Sequence, residues 1–242
     1  FGKRDVFLTK YNSDGVKQWT QQFGSSKNDG GRAATVDSSG NIYIAGFSGG
    51  AFCDKLTDPN CYDDGDTFTA KYNSSGTRLW IVHGHHRAIY GVSVDAANNV
   101  YITGDYDNSS NNSDIFIRKY NSSGSYQWNT LLGNNNSQIA TSIATDSSGN
   151  SYITGRTLDD LDGNSNAGSN DMVIAKYNTN GAKQWTRLLG TSEYESGQGI
   201  VITSSNYVYV TGKTDGDLDG NTNAGGGNDI FLVKYDSDGT KQ

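Results

Sequence analysis

The sequence is nearly free of glutamate. Of its 26 acidic residues only two, Glu193 and Glu195, are glutamates, and all the others are aspartates. Glutamate favours helices, whereas aspartate favours turns, caps and sites for hard cations. No segment shows an amphipathic helical period over a useful length. The sequence therefore predicts a protein with almost no helix.

Long apolar runs and basic clusters are absent as well. No apolar run approaches the roughly 18 residues that a transmembrane helix needs. Lysine and arginine form no stripe, and the formal net charge is −7. Nucleic acids and anionic membranes bind proteins through clustered positive charge. We therefore expect no nucleic-acid partner and no membrane insertion.

Cysteine is scarce, and its two copies, Cys53 and Cys61, flank one short polar segment. We predict a disulfide between them, which would stabilise the fold by roughly 2–3 kcal/mol in the chain-entropy model. The alternative is a pair of free thiols in a reducing cytosol. The polar loop and the features of a secreted chain favour the disulfide.

Glycine and aromatic residues, in contrast, are plentiful. The chain has 31 glycines, 15 tyrosines, 8 phenylalanines and 4 tryptophans, although hydrophobic residues make up only 33% of it. The aromatic residues recur in register, which a disordered chain has no reason to show. This composition favours a turn-rich β protein with aromatic layers.

A seven-residue pattern that begins with Asp and ends with Lys-Tyr occurs five times. The copies are Asp5–Tyr11, Asp66–Tyr72, Asp114–Tyr120, Asp171–Tyr177 and Asp229–Tyr235. They lie roughly 50 to 60 residues apart, the length of one supersecondary unit in a repeat protein. A unit of this size cannot bury its apolar face alone, so it must stack against its neighbours.

Each unit reads as four short antiparallel strands, which we call A, B, C and D. In the unit 139–190 they are predicted over 139–144, 152–155, 171–177 and 183–189. Tight glycine-containing turns, Asp146–Asn150 and Asn178–Gly181, separate A from B and C from D. A long loop separates B from C, so one rim of the unit carries short turns and the other carries long, variable loops.

Four antiparallel strands per repeat predict an all-β fold, a β-propeller of four-stranded antiparallel blades, with four to five blades in this chain. A β-solenoid and a sandwich are the alternatives. We expect a single β-propeller domain over 1–242, and a longer polypeptide around it because strand C occurs five times but strands A and B four times. The predicted units are a half blade 1–24, blades 31–82, 90–132 and 139–190, and a truncated blade 197–242.

The units resemble the bacterial β-propeller repeat family known as SBBP repeats. The residues that carry the resemblance are Ala144–Asn150, Tyr152–Gly155 and Asp229–Tyr235. The resemblance covers essentially the whole chain and implies an extracellular or cell-surface propeller of bacterial origin. It implies no enzymatic activity, because one fold serves many functions.

Two of the B–C loops share a pattern of oxygen-bearing side chains at alternate positions. The candidate ligands are Asp160, Asp162, Asn164, Asn166, Asp217, Asp219, Asn221 and Asn223. Ca²⁺ takes six to eight oxygen ligands, and a curled loop with a glycine can bring alternate side chains together. These loops therefore predict a calcium site. The alternative is two consecutive Asx-turns that need no metal.

Other groups with chemical potential are weaker candidates. His83, His85 and His86 lie in one D–A loop and could bind Zn²⁺, but adjacent histidines point in different directions and the loop varies between units. Glu193 and Glu195 could form a glycosidase pair, but such pairs come from separate elements. We interpret these residues as parts of solvated loops.

A lysine precedes the strand-C tyrosine in every unit, and strand D carries a tryptophan. The lysines could form an anionic-ligand ring, but they more simply extend past the aromatic layer towards a carboxylate or water. The tryptophans fit a role at the blade edge better than a role as glycan platforms.

Variable loops on a rigid scaffold usually carry the binding site. The long-loop face consists of 47–65, 83–90, 105–113, 156–170, 191–197 and 213–228. We expect a non-catalytic extracellular binding or scaffold protein that contacts an extracellular protein or a cell-envelope component through this face, braced by Ca²⁺ and a disulfide. A glycan-binding lectin is the alternative, and an enzyme is a third hypothesis with no converging acid–base set to support it.

Overall fold

The structure is a computed structural model that describes residues 4–50, 66–84, 87–107, 112–134 and 136–242. The only helical element within these ranges is one 3₁₀ turn, Leu218–Gly220. None of the described residues belongs to a helix long and apolar enough to span a membrane. Cys53 and Cys61 lie outside the described residues, so the disulfide stays a prediction.

The described chain consists of strands in five antiparallel sheets, numbered I to V along the sequence. Sheet I is β1 (Val6–Tyr11) and β2 (Lys17–Phe23); sheet II is β3 (Asp29–Val36), β4 (Ile42–Ser48), β5 (Asp66–Tyr72) and β6 (Arg78–Gly84); sheet III is β7 (Ala88–Val94), β8 (Val100–Asp107), β9 (Ser113–Tyr120) and β10 (Tyr126–Leu132); sheet IV is β11 (Gln138–Thr145), β12 (Ser151–Thr157), β13 (Asp171–Tyr177) and β14 (Lys183–Leu189); and sheet V is β15 (Glu195–Ile202), β16 (Val208–Thr214) and β17 (Asp229–Tyr235). Sequence neighbours pair with each other throughout. The prediction of an all-β protein of four-stranded antiparallel sheets is confirmed.

A buried aspartate organises the A–B turn. Asp37 accepts hydrogen bonds from the backbone N–H of Ser39 and Asn41, the Asn41 side-chain amide and the Tyr43 hydroxyl, at 2.8–3.0 Å. The same four bonds recur at Asp95 and Asp146. The Asp-Ser-Ser-Gly-Asn motif therefore closes the hairpin with a side chain that also anchors strand B.

Each interior strand C is sandwiched between sheets. In β9, Phe116 belongs to the core shared with sheet II, while Ile115 and Ile117 belong to the core shared with sheet IV. All three side chains are fully buried, because alternate positions of a strand face opposite neighbours. The four apolar clusters each join consecutive sheets, and none joins sheet V to sheet I within the described ranges.

A lysine and a tryptophan fasten each sheet to the next one. The Lys119 ammonium and the Trp128 indole N–H of sheet III both donate to the carbonyl of Thr179, in the C–D turn of sheet IV, at 3.1 and 3.0 Å. The lysine also lies over the ring of Tyr101, with Nζ 5.0 Å from the ring centroid. The equivalent pairs are Lys10 and Trp19 on Ser74, Lys71 and Trp80 on Ser122, and Lys176 and Trp185 on Ser237.

These lysines differ from the interpretation drawn from sequence. For Lys10, Lys71, Lys119 and Lys176 the partner is a backbone carbonyl of the following sheet and not a carboxylate. The lysines and tryptophans therefore act as a staple between sheets, on the rim that carries the short turns. A carbonyl in a tight turn has an unused lone pair, which makes it a good acceptor for two donors.

Candidate functional site

The four A strands lie side by side. β7 contacts β3 on one side and β11 on the other, and β11 contacts β15. Each A strand carries a β-bulge against its B strand at the same place in the repeat. The extra residues at these bulges are Arg32, Tyr90, Thr141 and Gln198. A bulge re-aims its side chain, and bulges are enriched beside functional sites.

The four bulged residues meet at a single cavity. They line a volume of about 340 Å³ together with Ile139 and Arg156. We call this space the axial cavity. Its size lies within the roughly 300–1,000 Å³ range of small-molecule pockets. The bulges are near the start of strand A, so the cavity lies towards the rim that carries the long loops.

Cations at the axial cavity lie against aromatic rings. The Arg32 guanidinium lies 5.4 Å from the Phe47 ring centroid and 5.8 Å from that of Tyr90. On the opposite side, Arg156 and Lys213 share the Tyr194 ring, at 5.9 and 4.8 Å. Cation–π contacts hold these long side chains in place while leaving their N–H donors available.

One buried carboxylate near the cavity pairs with a third arginine. Asp105, 1% exposed, lies 3.5 Å from Arg87, which also pairs with Asp107. Burial raises the pKa of Asp105, while Arg87 and a hydrogen bond with Tyr90 partly oppose the rise. Burial likewise raises the pKa of Tyr90, Asp105 adds to the effect, and the charges of Arg32, Arg87 and Arg156 oppose it. These arginines thus act on one hydroxyl.

The two arginines of the cavity wall form no ion pair within the described part of the chain. Ion pairs among the described residues involve Arg87, Lys183 and Lys241, and neither Arg32 nor Arg156 takes part in one. The six residues that line the cavity include no carboxylate. The cavity is therefore positively charged, although the whole chain has a net charge of −7.

The first predicted calcium loop, 160–166, forms a hairpin that packs between sheets III and IV. Leu161 is 3% exposed and belongs to their shared core. Asp162 and Gly163 have φ of 53° and 77°, as a tight two-residue turn requires. The Asp162 carboxylate accepts from the Lys183 ammonium and, at 2.6 Å, from the Thr186 hydroxyl. Asp160 accepts from the backbone N–H of Asn166 at 2.8 Å.

The second loop repeats this geometry between sheets IV and V. Leu218 is buried in their core, Asp219 pairs with Lys241, and Asp217 accepts from the N–H of Asn223 at 2.7 Å. The amides of Asn164 and Asn221 donate to the backbone carbonyls of Leu161 and Leu218 in their own loops. Those of Asn166 and Asn223 donate to the carbonyls of Thr157 and Thr214, at the ends of the preceding strands. No group of three or more His, Cys, Asp or Glu that could hold a metal ion occurs within the described ranges.

Glu195 and Glu193 do not converge on a cavity. Glu195 is fully buried and accepts hydrogen bonds from the N–H and hydroxyl of Thr191 and from the hydroxyl of Thr214. Asp29 performs the same task for Ser25 in sheet II. The first residue of strand A thus ties the D–A loop to strand B. His85 and His86 lie outside the described residues.

Sequence reasoning missed the bulged residues. Arg, Tyr, Thr and Gln share no chemistry, so their common position is invisible until strand A is paired with strand B. The one available signal was a break in alternation within strand A. In β3, for example, the small residues Gly31 and Ala33 flank Arg32. A break of this kind marks a bulge in an otherwise regular strand.

Together, the fold and the cavity define an all-β protein of repeated antiparallel sheets whose A strands border a shared polar site. The family model for the SBBP β-propeller repeat matches residues 18–52, 127–162 and 184–219. These three regions therefore match the SBBP repeat, and the resemblance found in the sequence is confirmed there. Each match spans strand D of one sheet and strands A and B of the next. No curated protein matches the sequence.

Solved structures with a similar course of the chain are distant. A gluconolactonase from Xanthomonas campestris has a TM-score of 0.44 at 11% identity, and the match covers 84% of this chain and 61% of that one. A luciferin-regenerating enzyme has a TM-score of 0.43 at 12% identity, over 98% and 69% of the two chains. The tail fibre of Staphylococcus aureus phage P68 has a TM-score of 0.31 at 11% identity, over 87% and 50%. Similarity at this level says nothing about what this chain binds or catalyses.

Proposed function

We propose that the repeated sheets are blades of a β-propeller that serves as a non-catalytic extracellular or cell-surface binding and scaffold protein. The binding surface is the long-loop face, and the partner is an extracellular protein or a cell-envelope component. The side-by-side A strands support the propeller, because in that architecture the innermost strands surround a shared axis.

The single observation that carries the binding role is the convergence of four chemically different side chains on the axial cavity. The repeat keeps its turns, staples and core almost unchanged from unit to unit, yet the bulged position holds Arg32, Tyr90, Thr141 and Gln198. Structural positions repeat because every interface needs the same contact. A position that varies at one shared cavity fits recognition of an asymmetric ligand.

Binding through the long-loop face is tested by blocking one rim at a time. Asp215 is exposed beside Tyr194 on the long-loop rim, and Ser38 is exposed in the A–B turn on the opposite rim. Each is replaced by cysteine in a background with Cys53→Ser and Cys61→Ser, and then labelled with a polyethylene glycol maleimide. We expect the label at 215, and not the label at 38, to abolish binding to an immobilised bacterial cell-envelope fraction.

The labelled proteins must keep the melting temperature of the unlabelled background. Equal loss of binding from both labels, or loss from the label at 38 alone, would contradict the long-loop assignment. Absence of binding in the unlabelled protein would count against an envelope partner.

Calcium at the two loops stays part of this proposal as a prediction. The carboxylates of Asp162 and Asp219 already bind lysines, so an ion would have to displace Lys183 and Lys241. Thermal melting in calcium and in a chelator tests the point. A melting temperature that rises with calcium and returns with the chelator supports a metal, and an unchanged value supports loops held by hydrogen bonds alone.

A glycan-binding lectin is the second candidate. The observation in its favour is the set of aromatic rings near the axial cavity, Phe47, Tyr90 and Tyr194, because sugar rings pack on aromatic faces. A glycan array separates the two candidates. Binding to a defined class of glycans favours the lectin, and binding to envelope proteins alone favours the scaffold.

A further inference from the structure

The axial cavity has the charge pattern of a site for an anion. Arg32 and Arg156 line it and take part in no ion pair among residues 4–50, 66–84, 87–107, 112–134 and 136–242. Two guanidinium groups at one small cavity repel each other, and an anion between them removes that repulsion. The buried carboxylate of Asp105 forms its ion pair with Arg87, and neither Arg32 nor Arg156 pairs with it.

The shape of the donors favours a carboxylate. A guanidinium presents a planar fork of N–H groups that matches the two oxygens of a carboxylate. The Arg32 guanidinium lies near the rings of both Phe47 and Tyr90, and these contacts restrict its movement. Arg156 is restricted in the same way by Tyr194. The side chains are thus ordered before a ligand arrives, which lowers the entropic cost of binding.

The remaining wall is neutral and polar. The single proton of the Thr141 hydroxyl lies between the carbonyls of Gly197, at 2.7 Å, and Thr154, at 3.1 Å, so the hydroxyl oxygen keeps lone pairs to accept hydrogen bonds. The Gln198 amide nitrogen donates to Ser196 and leaves its carbonyl oxygen as an acceptor. Acceptors of this kind suit the hydroxyl groups of a sugar, which are donors, and the volume of about 340 Å³ suits a small ligand.

We propose that the axial cavity binds the carboxylate of an acidic sugar, with Arg32 and Arg156 on the carboxylate and Thr141, Gln198 and Tyr90 around the sugar ring. This inference rests on the second candidate function, glycan binding, and names the chemical class of the glycan. The sugar is either a free uronic acid or the end of an acidic polysaccharide, which share the same carboxylated ring.

Isothermal titration calorimetry with D-glucuronate, D-glucose and inorganic phosphate tests the proposal on the full chain. We expect glucuronate to bind, and glucose and phosphate to bind at least about tenfold more weakly, since each lacks either the carboxylate or the ring. Arg32→Gln and Arg156→Gln each raise the Kd for glucuronate about 10- to 100-fold, the usual effect of removing a hydrogen bond to a charged group. An oligouronide that binds tighter than the monosaccharide identifies the polysaccharide as the source.

Arg118→Gln is the matched control. Arg118 also stacks on an aromatic ring, Tyr126, and bonds Asn129 in the outer strand β10. It should leave the Kd unchanged. Arg32 is exposed and Arg156 half-buried, so their variants should keep the wild-type melting temperature.

Three results would each overturn the proposal. The first is that glucuronate does not bind, and the second is that glucose or phosphate binds as tightly as glucuronate. The third is that Arg118→Gln weakens glucuronate binding as much as Arg32→Gln or Arg156→Gln. If glucuronate does not bind but the label at position 215 still abolishes binding to the envelope fraction, the proposed scaffold function stands and the ligand class is wrong. If glucuronate binds and the label has no effect, the cavity is a site and the face assignment is wrong.

Discussion

At the scale of the residue, the A–B turn depends on one ionised carboxylate. Burial raises the pKa of Asp37, but hydrogen bonds from Asn41, Tyr43 and Ser39 outweigh it, so the pKa is lowered overall. A carboxylate whose pKa is lower in the folded state stabilises the protein above the pKa of the unfolded chain, about 3.9. That contribution is lost as the pH falls through the folded pKa.

We expect Asp37→Asn to lower the free energy of unfolding at pH 7 by about 1–3 kcal/mol. Both carboxylate oxygens accept hydrogen bonds, Oδ2 from Asn41 and Tyr43, whereas an amide has only one oxygen to accept them. The difference from the wild type should begin to shrink as the pH falls below about 4, where Asp37 of the unfolded chain takes up a proton, and should be lost below the lowered pKa of the folded state. Urea unfolding at pH 7 and pH 3 measures both effects. Asp14→Asn, at an exposed aspartate, is the control for net charge. An equal loss in both variants would contradict the role of Asp37.

Glycine in the C–D turn allows a positive φ and leaves room for the tryptophan of the neighbouring sheet. Gly181 and Gly15 allow the two effects to be measured separately. Gly181 has φ of +80°, and a Cβ there would lie 2.8 Å from Trp128 Cδ2. Gly15 has φ of +75° with no atom within 4 Å of the same position. Gly15→Ala should cost about 1–2 kcal/mol through backbone strain alone. Gly181→Ala should lower the free energy of unfolding by about 1–3 kcal/mol more than Gly15→Ala does, because Trp128 must move.

Urea unfolding of both variants measures the difference. Equal losses would show that the contact with Trp128 contributes nothing to stability. A larger loss at position 15 would contradict the argument altogether.

At the scale of the element, sequence patterns predicted the positions of the strands and the turns. The seven-residue pattern marks strand C in every sheet, and Tyr-Ile-Thr-Gly marks strand B. Alternation and turn chemistry are local, so they are legible without knowledge of the packing. The hairpin at 160–166 was not legible in this way. Its oxygens predict a calcium site, which stays a prediction, and nothing in the pattern indicated that Leu161 fills the space between two sheets.

The staple between sheets should be cooperative. Lys119→Met removes one donor from the Thr179 carbonyl and Trp128→Phe removes the other. Each change should cost about 1–2 kcal/mol, since a hydrogen bond and part of a packed contact are lost. In a double-mutant cycle the two residues should show a coupling energy of about 0.5 kcal/mol or more, because they share one acceptor. Strict additivity would mean that the two contacts act independently.

At the scale of the whole molecule, the row of sheets has an open apolar face at each end. Ile230 and Leu232 of sheet V are 87% and 70% exposed, and Phe7 of sheet I is 74% exposed. In sheet III the residues equivalent to Ile230 and Leu232 are Ile115 and Ile117, and the residue equivalent to Phe7 is Phe116. All three are fully buried. Each open face therefore has the residue pattern that elsewhere packs against another sheet. Such patches promote association.

We expect the 242-residue chain to associate head to tail at high concentration, with the face of sheet V against the face of sheet I of a second copy. Leu232→Lys should weaken this association at least about tenfold, because it places a charge in the contact. Leu131→Lys, at an exposed position of the outer strand β10, is the control. Sedimentation velocity across a concentration series measures the effect. A monomer at every concentration would contradict the expectation.

The sequence alone determined the local structure of this protein: the repeat, the strand-and-turn order and the aromatic layers. These features follow from alternation and hydrogen bonding over a few residues, which each unit carries within itself. Only the tertiary structure decided where the axial cavity lies and that Arg32, Tyr90, Thr141 and Gln198 meet there. The reason is physical: these residues come from four different sheets, and only the packing of sheet on sheet brings four bulges to one place.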